Sequence, residues 1–160
     1  MQMKAGFEQS IYAILLLNLL PEKAVLPGEA ISHQLGTSPT YSKKMLRKLV
    51  CADLIASTAG VKGGFKLKQK AKDIRIYDVY LAIEGQQSLY SSSGILDDML
   101  ELDKEDRCCL LVDLMDDAEA AWKNVMKRKT IASLSEDMHA EHLREELKTL
   151  EQWIEQQMVV

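Results

Sequence analysis

SPTYSKKMLRKLVCADLIASTAGVKGGF, residues 38–65, predicts a short helix that is followed at once by a β-hairpin. Ser38 is a good helix N-cap, because its hydroxyl can accept a hydrogen bond from a backbone N–H that the first turn leaves without a partner. Pro39 suits the first helical position, where the missing N–H has no cost. We therefore expect a helix to begin at Pro39.

This helix is expected to have one apolar and one cationic face. The apolar face follows helical spacing and consists of Leu46, Leu49 and Val50, with Met45 at its edge. The opposite side carries Thr40, Lys43, Lys44 and Arg47, with Tyr41 near the border. A cationic helix suits phosphates and base edges, because a helix fits the major groove of DNA. A solvated amphipathic surface helix is the alternative that charge alone leaves open.

A β-hairpin is predicted immediately after this helix. Residues 54–58 read as a short strand, and residues 65–68 alternate apolar and basic side chains as its partner. The connection, residues 59–64, contains three glycines, which adopt the positive φ angles of a tight reversal without steric strain. A helix–turn–helix followed by a hairpin is the winged-helix arrangement, in which the hairpin lies against the DNA backbone or minor groove.

Further helices are predicted on either side of this stretch. Apolar residues at helical spacing indicate helices at about residues 7–20, 29–35 and 73–84, with Pro21, Gly36 and Gly85 at their ends. Residues 86–106 are the least patterned and are interpreted as a loop with one short helix. The expected fold class is mostly α with a small β-hairpin: a winged helix–turn–helix plus long C-terminal helices.

Two long apolar stripes occupy the C-terminal part. The first consists of Leu110, Leu111, Leu114, Ala118, Ala121, Trp122 and Val125. The second consists of Leu143, Leu147, Leu150 and Ile154, at the spacing of a coiled-coil seam. Together they have more apolar surface than a small winged domain covers. The two helices packing on each other is one alternative; dimerisation is favoured, because a two-fold symmetric protein reads a palindrome with two recognition helices.

Charge is distributed unevenly along the 160 residues. Residues 1–72 carry 11 Lys and Arg against 4 Asp and Glu, whereas residues 73–160 carry 9 against 20. A basic half joined to an acidic half indicates that only the first half meets a polyanion. No stretch is long and apolar enough to cross a membrane, no signal-peptide pattern is present, and three cysteines make no disulfide framework. We therefore expect a cytoplasmic protein.

Several stretches resemble the Rrf-type, or BadM-like, family of bacterial winged-helix transcription regulators. The similar stretches are Met3-Lys4 with Tyr12-Ala13, residues 38–41 with 46–49, residues 60–67, positions within residues 74–85 and, more weakly, positions within residues 108–134. They cover about residues 1–135. The resemblance implies a homodimer that is joined through the long helix after residue 108, with operator binding by the third helix and the wing.

The resemblance and the charge pattern together predict the site residues. Contact with DNA is predicted for Lys4, Ser38, Thr40, Tyr41, Lys43, Lys44, Arg47, Lys62, Gly63 and Gly64, and phosphate contact also for Lys66 and Lys68. Dimerisation is predicted for Leu111, Leu114, Ala118, Trp122 and Val125. The predicted division is a winged DNA-binding domain at 1–85, a linker at 86–107 and a helical dimerisation region at 108–160.

The sequence departs from the family in three places. Ala59 stands where the family usually has an Arg before the wing glycine, which removes the usual minor-groove side chain, and Ser42 replaces a usual Leu. A helix from about Ser135 to the end runs beyond the usual family terminus.

The cysteines do not match the cluster-binding members of the family, which resemble one another in a three-cysteine loop after the Glu-Gly segment. Residues 86–107 contain no cysteine, and Cys108 and Cys109 are adjacent. Adjacent thiols do not supply the separated ligands of a [2Fe–2S] cluster, and only two dimer-related pairs would give four, so no cofactor is expected. Ordinary helix-start residues are the simplest interpretation. A thiol sensor at Cys108 and Cys109 is the alternative, because a helix N-terminus and Arg107 lower a thiol pKa, although neighbouring carboxylates oppose this.

No motif indicates catalysis. A phosphate loop, a nucleophile elbow and a pair of catalytic carboxylates are all lacking, and His139 with His142 lacks a third strong metal ligand. The sequence predicts a DNA-binding transcription regulator, a repressor that binds a palindromic operator as a homodimer and responds to a small-molecule or protein effector. The alternative is a protein-interaction module on a winged-helix scaffold without DNA binding.

Overall fold

The computed structural model describes residues 3–160 and has one antiparallel hairpin among helices. In chain order the elements are α1 (Ala5–Asn18), α2 (Gly28–Gln34), α3 (Pro39–Cys51), β1 (Ile55–Thr58), β2 (Gly64–Leu67), α4 (Ile76–Glu84), α5 (Ile95–Met99), α6 (Val112–Arg128), α7 (Ile131–Met138), a 3₁₀ turn (Glu141–Leu143) and α8 (Arg144–Gln157). The mostly helical winged-helix fold class is confirmed.

Helix α1 is the centre of the core. All five residues 13–17 are buried, as expected for a helix that is apolar almost all around. The predicted end was Leu20, but α1 ends at Asn18. The next two N–H groups bond to carbonyls three residues back, so the last turn tightens ahead of Pro21. Within residues 3–160 no helix has the length and apolar character that a membrane span requires.

Helices α2 and α3 form the helix–turn–helix. Gly36 follows α2 with φ +62°, a left-handed conformation that glycine adopts without strain. The Ser38 hydroxyl accepts a hydrogen bond from the Tyr41 N–H at 3.2 Å, and Pro39 is the first helical residue. The predicted cap and start of the recognition helix are therefore confirmed.

The wing is the hairpin of β1 and β2. Thr58 lies opposite Gly64 at the tip of the ladder, and Gly60 in the turn has φ +103°. A Cβ at Gly63 would lie 2.2 Å from the Thr58 carbonyl oxygen, so only glycine fits there. The predicted reversal is present, but of its three glycines only Gly60 has a positive φ, whereas Gly63 and Gly64 are needed because backbone atoms lie too close for a Cβ.

Helix α4 begins later than predicted. Asp73 belongs to a turn, and residues 74–75 stay extended, because the Ile74 carbonyl accepts the Ile131 N–H at 2.9 Å and the Lys129 carbonyl accepts the Ile76 N–H at 3.0 Å. This pairing with a distant segment replaces the first turn that helical spacing had indicated.

Helices α7 and α8 pack on the winged domain. One helix was predicted from about Ser135 to the end, but the chain turns between α7 and α8. The turn lets both helices place apolar residues in one core, since Ile131 and Ile154 lie in the same cluster as α1 and Leu147 is also buried. The Asn18 amide donates to the Ser135 hydroxyl at 3.1 Å. The α8 stripe is therefore covered within its own chain at Leu147 and Ile154 and partly at Leu150, whereas Leu143 at its start is 37% exposed.

Candidate nucleic-acid interface

Helix α3 turns its apolar face inward and its cationic face outward. Leu46 and Leu49 are at most 1% exposed, and Met45, predicted at the edge of the apolar face, is buried as well. The outward face carries Thr40, Tyr41, Lys43, Lys44 and Arg47, all of which are exposed. None of the ion pairs within residues 3–160 involves a cation of this outward face. These cations are therefore available to phosphates or base edges.

Tyr41 also connects the recognition helix to α1. Its side chain is 43% exposed. A Cβ on Gly6 would approach the Tyr41 hydroxyl oxygen to 2.5 Å, so the glycine leaves room for the phenol. Tyr41 therefore packs close to α1 while part of its side chain stays exposed.

The C-terminal end of α4 contacts two lysines, Lys48 of the recognition helix and Lys4 just before α1. The Lys48 ammonium donates to the Ile83 carbonyl at 2.9 Å, where a cation is favoured by the unpaired carbonyls of a helix end. The Lys4 backbone N–H donates to Glu84 at 3.0 Å, and the Lys4 ammonium lies 3.5 Å from the same carboxylate. Lys48 was not predicted as a site residue, because its partner is 35 residues away and helical spacing carries no sign of it.

The wing presents its cations unequally. Lys62 is exposed at the tip. Gly64, which is predicted to contact DNA, is buried where the ladder meets the turn, and a Cβ on it would lie 2.6 Å from the Leu26 carbonyl oxygen. Lys68 pairs with Asp53 at 2.7 Å. Lys62 is thus the wing cation that is best placed to reach a phosphate.

Helix α6 leaves a stripe of apolar side chains exposed. Leu111 is 48%, Leu114 62% and Val125 54% exposed, and Ala118 and Ala121 between them are exposed as well. The five residues follow one another at spacings of three and four, as in a coiled-coil seam. No residue of α6 is buried. A contiguous apolar stripe of this kind indicates an interaction surface.

Trp122, predicted for that surface, instead packs towards α4. Its ring is edge-on to Tyr80 with centroids 4.7 Å apart, and it lies 6.2 Å from the Tyr77 ring. These aromatic contacts seat α6 on α4, the helix whose end holds Lys4 and Lys48. The α6 stripe and the recognition helix are therefore connected through α4.

Glu119 fastens the loop after α4 to α6. Its carboxylate accepts the Leu89 N–H at 3.0 Å and the Ser88 hydroxyl at 3.1 Å, and it pairs with Lys123 one turn along the helix. Hydrogen bonds from Lys123 and then from the Leu89 N–H lower the pKa of Glu119 to about 2. The ionised carboxylate is the form that holds the loop.

This depressed pKa predicts a pH-dependent contribution to stability. The contribution is fully present above the ordinary carboxyl pKa of 4.5 and is lost as the pH falls towards about 2. The wild type is expected to have a higher unfolding temperature than Glu119→Gln at pH 7, with the difference shrinking below about pH 4.5. Thermal unfolding across this range measures it, with Glu136→Gln, an exposed residue of α7, as the control. Parallel curves for the wild type and Glu119→Gln would contradict the role of the carboxylate.

Cys109 lies just before α6 and beside Tyr90. Its Sγ is 3.2 Å from the Tyr90 hydroxyl oxygen. Hydrogen bonds with Tyr90 and then with Ser92 lower the pKa of the Cys109 thiol below its ordinary value. Cys108 is exposed next to it, whereas Cys51 belongs to the end of α3.

Comparison with known proteins shows relatives along the whole chain. The Rrf2 family model, described as "Iron-dependent Transcriptional regulator", matches residues 3–137. "Putative HTH-type transcriptional regulator YwgB" of Bacillus subtilis (strain 168) is 37% identical over 99% of this chain and 97% of its own. YffB of Lactococcus lactis subsp. lactis (strain IL1403), which has the same description, is 33% identical over 98% and 99%. The solved structure of CymR, the global cysteine regulator of B. subtilis, matches in fold with a TM-score of 0.62 at 16% identity, covering 85% of this chain and 97% of its own.

The family description raises the question of an iron site, and the donor set does not fit one. Among the residues that the structure describes, no three His, Cys, Asp or Glu side chains come together so as to hold a metal ion. The adjacent thiols of Cys108 and Cys109 are too close in sequence to spread around a cluster. His139 Nδ1 lies 2.6 Å from the Ser135 carbonyl oxygen of its own helix. Within one chain these residues therefore fit neither an iron ion nor an iron–sulfur cluster.

Proposed function

The chain belongs to the Rrf2 family of transcriptional regulators, and from that premise we propose that it is a cytoplasmic repressor that binds a pseudo-palindromic operator as a homodimer. Helix α3 enters the major groove, and the wing lies along the neighbouring backbone or minor groove. The relatives are transcriptional regulators, which are not enzymes.

The outward face of α3 is the observation that carries this proposal. Lys43, Lys44 and Arg47 project from one side of a helix whose other side is locked in the core. Lys62 adds a cation at the wing tip. Since Ala59 offers no cationic or hydrogen-bonding side chain to the minor groove, base discrimination rests on α3 and the wing supplies phosphate contact.

The exposed stripe on α6 supports the homodimer. The first half of α6 carries Asp113, Asp116 and Asp117, and the second half carries Lys123, Lys127 and Arg128. Two antiparallel copies about a two-fold axis near Ala118 place the acidic half of each beside the basic half of the other. The same arrangement sets Leu111 of one copy against Val125 of the other. Matched apolar faces with opposite flanking charges favour this association.

Footprinting of the purified protein on genomic DNA fragments tests the proposed function. The expected result is a protected site with two inverted half-sites, about one helical turn or a multiple of it apart. The logarithm of the affinity should fall steeply and linearly with the logarithm of the salt concentration. Absence of binding, or binding that salt does not weaken, would contradict the proposal.

A protein-interaction module without DNA binding is the second candidate. It is favoured by Ala59, which lacks the expected wing cation, and by the acidic second half of the chain. Recovery of partners from lysate with and without nuclease separates the two functions. A regulator loses its co-purifying material after nuclease treatment, whereas an interaction module keeps a protein partner.

Cys109 is the proposed point at which an oxidant acts on the regulator. A peroxide oxidises the thiolate to a sulfenic acid and is itself reduced to water. This change removes the thiolate that the Tyr90 hydroxyl stabilises, next to the start of α6. Operator affinity is expected to fall several-fold after peroxide treatment of the wild type and to stay constant in Cys109→Ser. Cys51→Ser is the control and should respond like the wild type; an equal loss in Cys109→Ser would overturn this role.

A further inference from the structure

A short backbone bridge joins the segment after α8 to the chain that precedes α2. The Val25 N–H donates to the Val159 carbonyl and the Val159 N–H donates to the Val25 carbonyl, both at 2.9 Å. The two residues thus form a hydrogen-bonded antiparallel pair. We call residues 158–160 the strap.

The strap reaches the wing through two consecutive residues, Val25 and Leu26. Leu26, next to Val25, exchanges two backbone hydrogen bonds with Phe65 of β2, both at 2.9 Å. Consecutive residues of an extended strand point their polar groups to opposite sides, so Val25 faces the strap while Leu26 faces the wing. The strap, residues 25–26 and the wing are therefore linked in series, by one isolated bridge at Val25, a second at Leu26 and the ladder between β2 and β1.

The strap is held in place by α8. Ile154 is 2% exposed within the core cluster, and the Met158 N–H donates to the Ile154 carbonyl at 2.8 Å. Val25 and Leu26 are buried, so without the strap the N–H and carbonyl of Val25 would lose their partners in a place that water reaches poorly. The docked strap therefore keeps residues 25–26 extended.

We propose that Val159 is a positioning residue for DNA binding, which holds the wing through Val25 and Leu26 so that Lys62 meets the phosphate backbone. The inference rests on the proposed function. It extends the DNA-binding apparatus beyond residues 1–85, to a segment that does not itself touch DNA. The backbone of Gly64 passes so close to Leu26 that a Cβ on Gly64 would lie 2.6 Å from the Leu26 carbonyl oxygen, which leaves the wing little room to move towards residues 25–26.

Val159→Pro tests the strap, because proline removes the N–H that bonds to Val25. The affinity of the full-length dimer for its operator is expected to fall roughly tenfold, with a salt slope smaller by about 1, as expected for one lost phosphate contact. Introduced into the wild type, Lys62→Ala should cause the same loss of operator affinity and of salt slope as Val159→Pro. Introduced into Val159→Pro, it should lower the affinity and the slope little further. Equal effects of Lys62→Ala in both backgrounds would overturn the proposal, since generic destabilisation does not erase one particular contact.

Two control variants and one further measurement keep this test independent of the proposed function. Val160→Pro introduces a proline one residue beyond the bridge, and Val159→Ala keeps both backbone hydrogen bonds to Val25. In each of these two backgrounds, adding Lys62→Ala should lower operator affinity as much as it does in the wild type. Amide hydrogen exchange at Leu26 and Phe65 should accelerate in Val159→Pro alone. Unchanged exchange there would overturn the strap. A wild type that binds no DNA, but shows this acceleration in the variant, would instead refute the proposed function.

Discussion

Replacing Lys43 and Lys44 together by alanine is expected to lower operator affinity roughly 10- to 100-fold, as for charge-assisted contacts. Each lysine that neutralises a phosphate releases about one counterion, so the slope of log affinity against log salt should fall by about 2. Both side chains are exposed, and neither takes part in an ion pair in the part of the chain that the structure describes. The unfolding temperature is therefore expected to stay unchanged, and titrations at several salt concentrations measure the effect.

The matched control removes two lysines from elsewhere on the molecule. Lys129 pairs with Asp137 at 3.9 Å and Lys148 pairs with Glu145 at 3.1 Å, both outside the winged surface. Lys129→Ala with Lys148→Ala changes the net charge equally and should leave the salt slope nearly constant. If both double variants lowered the slope alike, the loss would reflect overall charge, and α3 would not be the DNA-contacting helix.

Ala118→Asp on α6 is expected to convert the dimer into a monomer and to lower operator affinity by a factor on the order of 100 to 10,000, because a single half-site loses the gain of bivalent binding. The proposed two-fold axis passes near Ala118, so the variant sets two carboxylates against each other in an apolar seam. Ala118 is exposed in the single chain, so the substitution should leave folding intact. Sedimentation and operator titration measure the two effects.

Ala120→Asp provides the same substitution on the same helix but off the stripe. Ala120 is exposed and lies two residues away, which points it to the opposite side of α6. The Ala120→Asp variant should remain dimeric and bind DNA like the wild type. A dimer that survives Ala118→Asp would place the interface elsewhere, and Leu114→Asp, at a larger residue of the same stripe, checks that result.

Cysteine cross-linking tests the direction of the paired helices. In a chain whose own three cysteines are replaced by serine, Ala118→Cys should form a disulfide between copies, because position 118 meets itself at the axis. Leu111→Cys should not cross-link alone, but should do so when mixed with Val125→Cys. Cross-linking of Leu111→Cys with itself would mean that the helices run parallel.

The recognition helix and the wing turn were predictable because their determinants are local. The Ser38 hydroxyl bonds to the N–H three residues further on, and Gly60 needs only its own positive φ. Such features depend on near neighbours in sequence, which residue types and spacing describe well. Alternating burial along α3 likewise follows from the period of the helix.

The supports of the site were not predictable in this way. Lys48 finds the Ile83 carbonyl, Gly64 packs on Leu26, and Val159 pairs with Val25, each across a long stretch of chain. Backbone N–H groups and lysine ammonium groups donate hydrogen bonds to whichever acceptor the fold brings near. The residue type therefore shows that a hydrogen-bond partner is needed, but not which residue supplies it.

The two apolar stripes of the C-terminal part show the same division most clearly. Their spacing of three and four residues was sufficient to determine that α6 and α8 each have one apolar face. Only the tertiary structure decided which face is buried and which is exposed: Ile154 of α8 is 2% exposed, whereas Leu114 of α6 is 62% exposed. Periodicity specifies a face of a helix but not the surface that covers it. That surface depends on the turn after α7, which returns α8 to its own core and leaves α6 open.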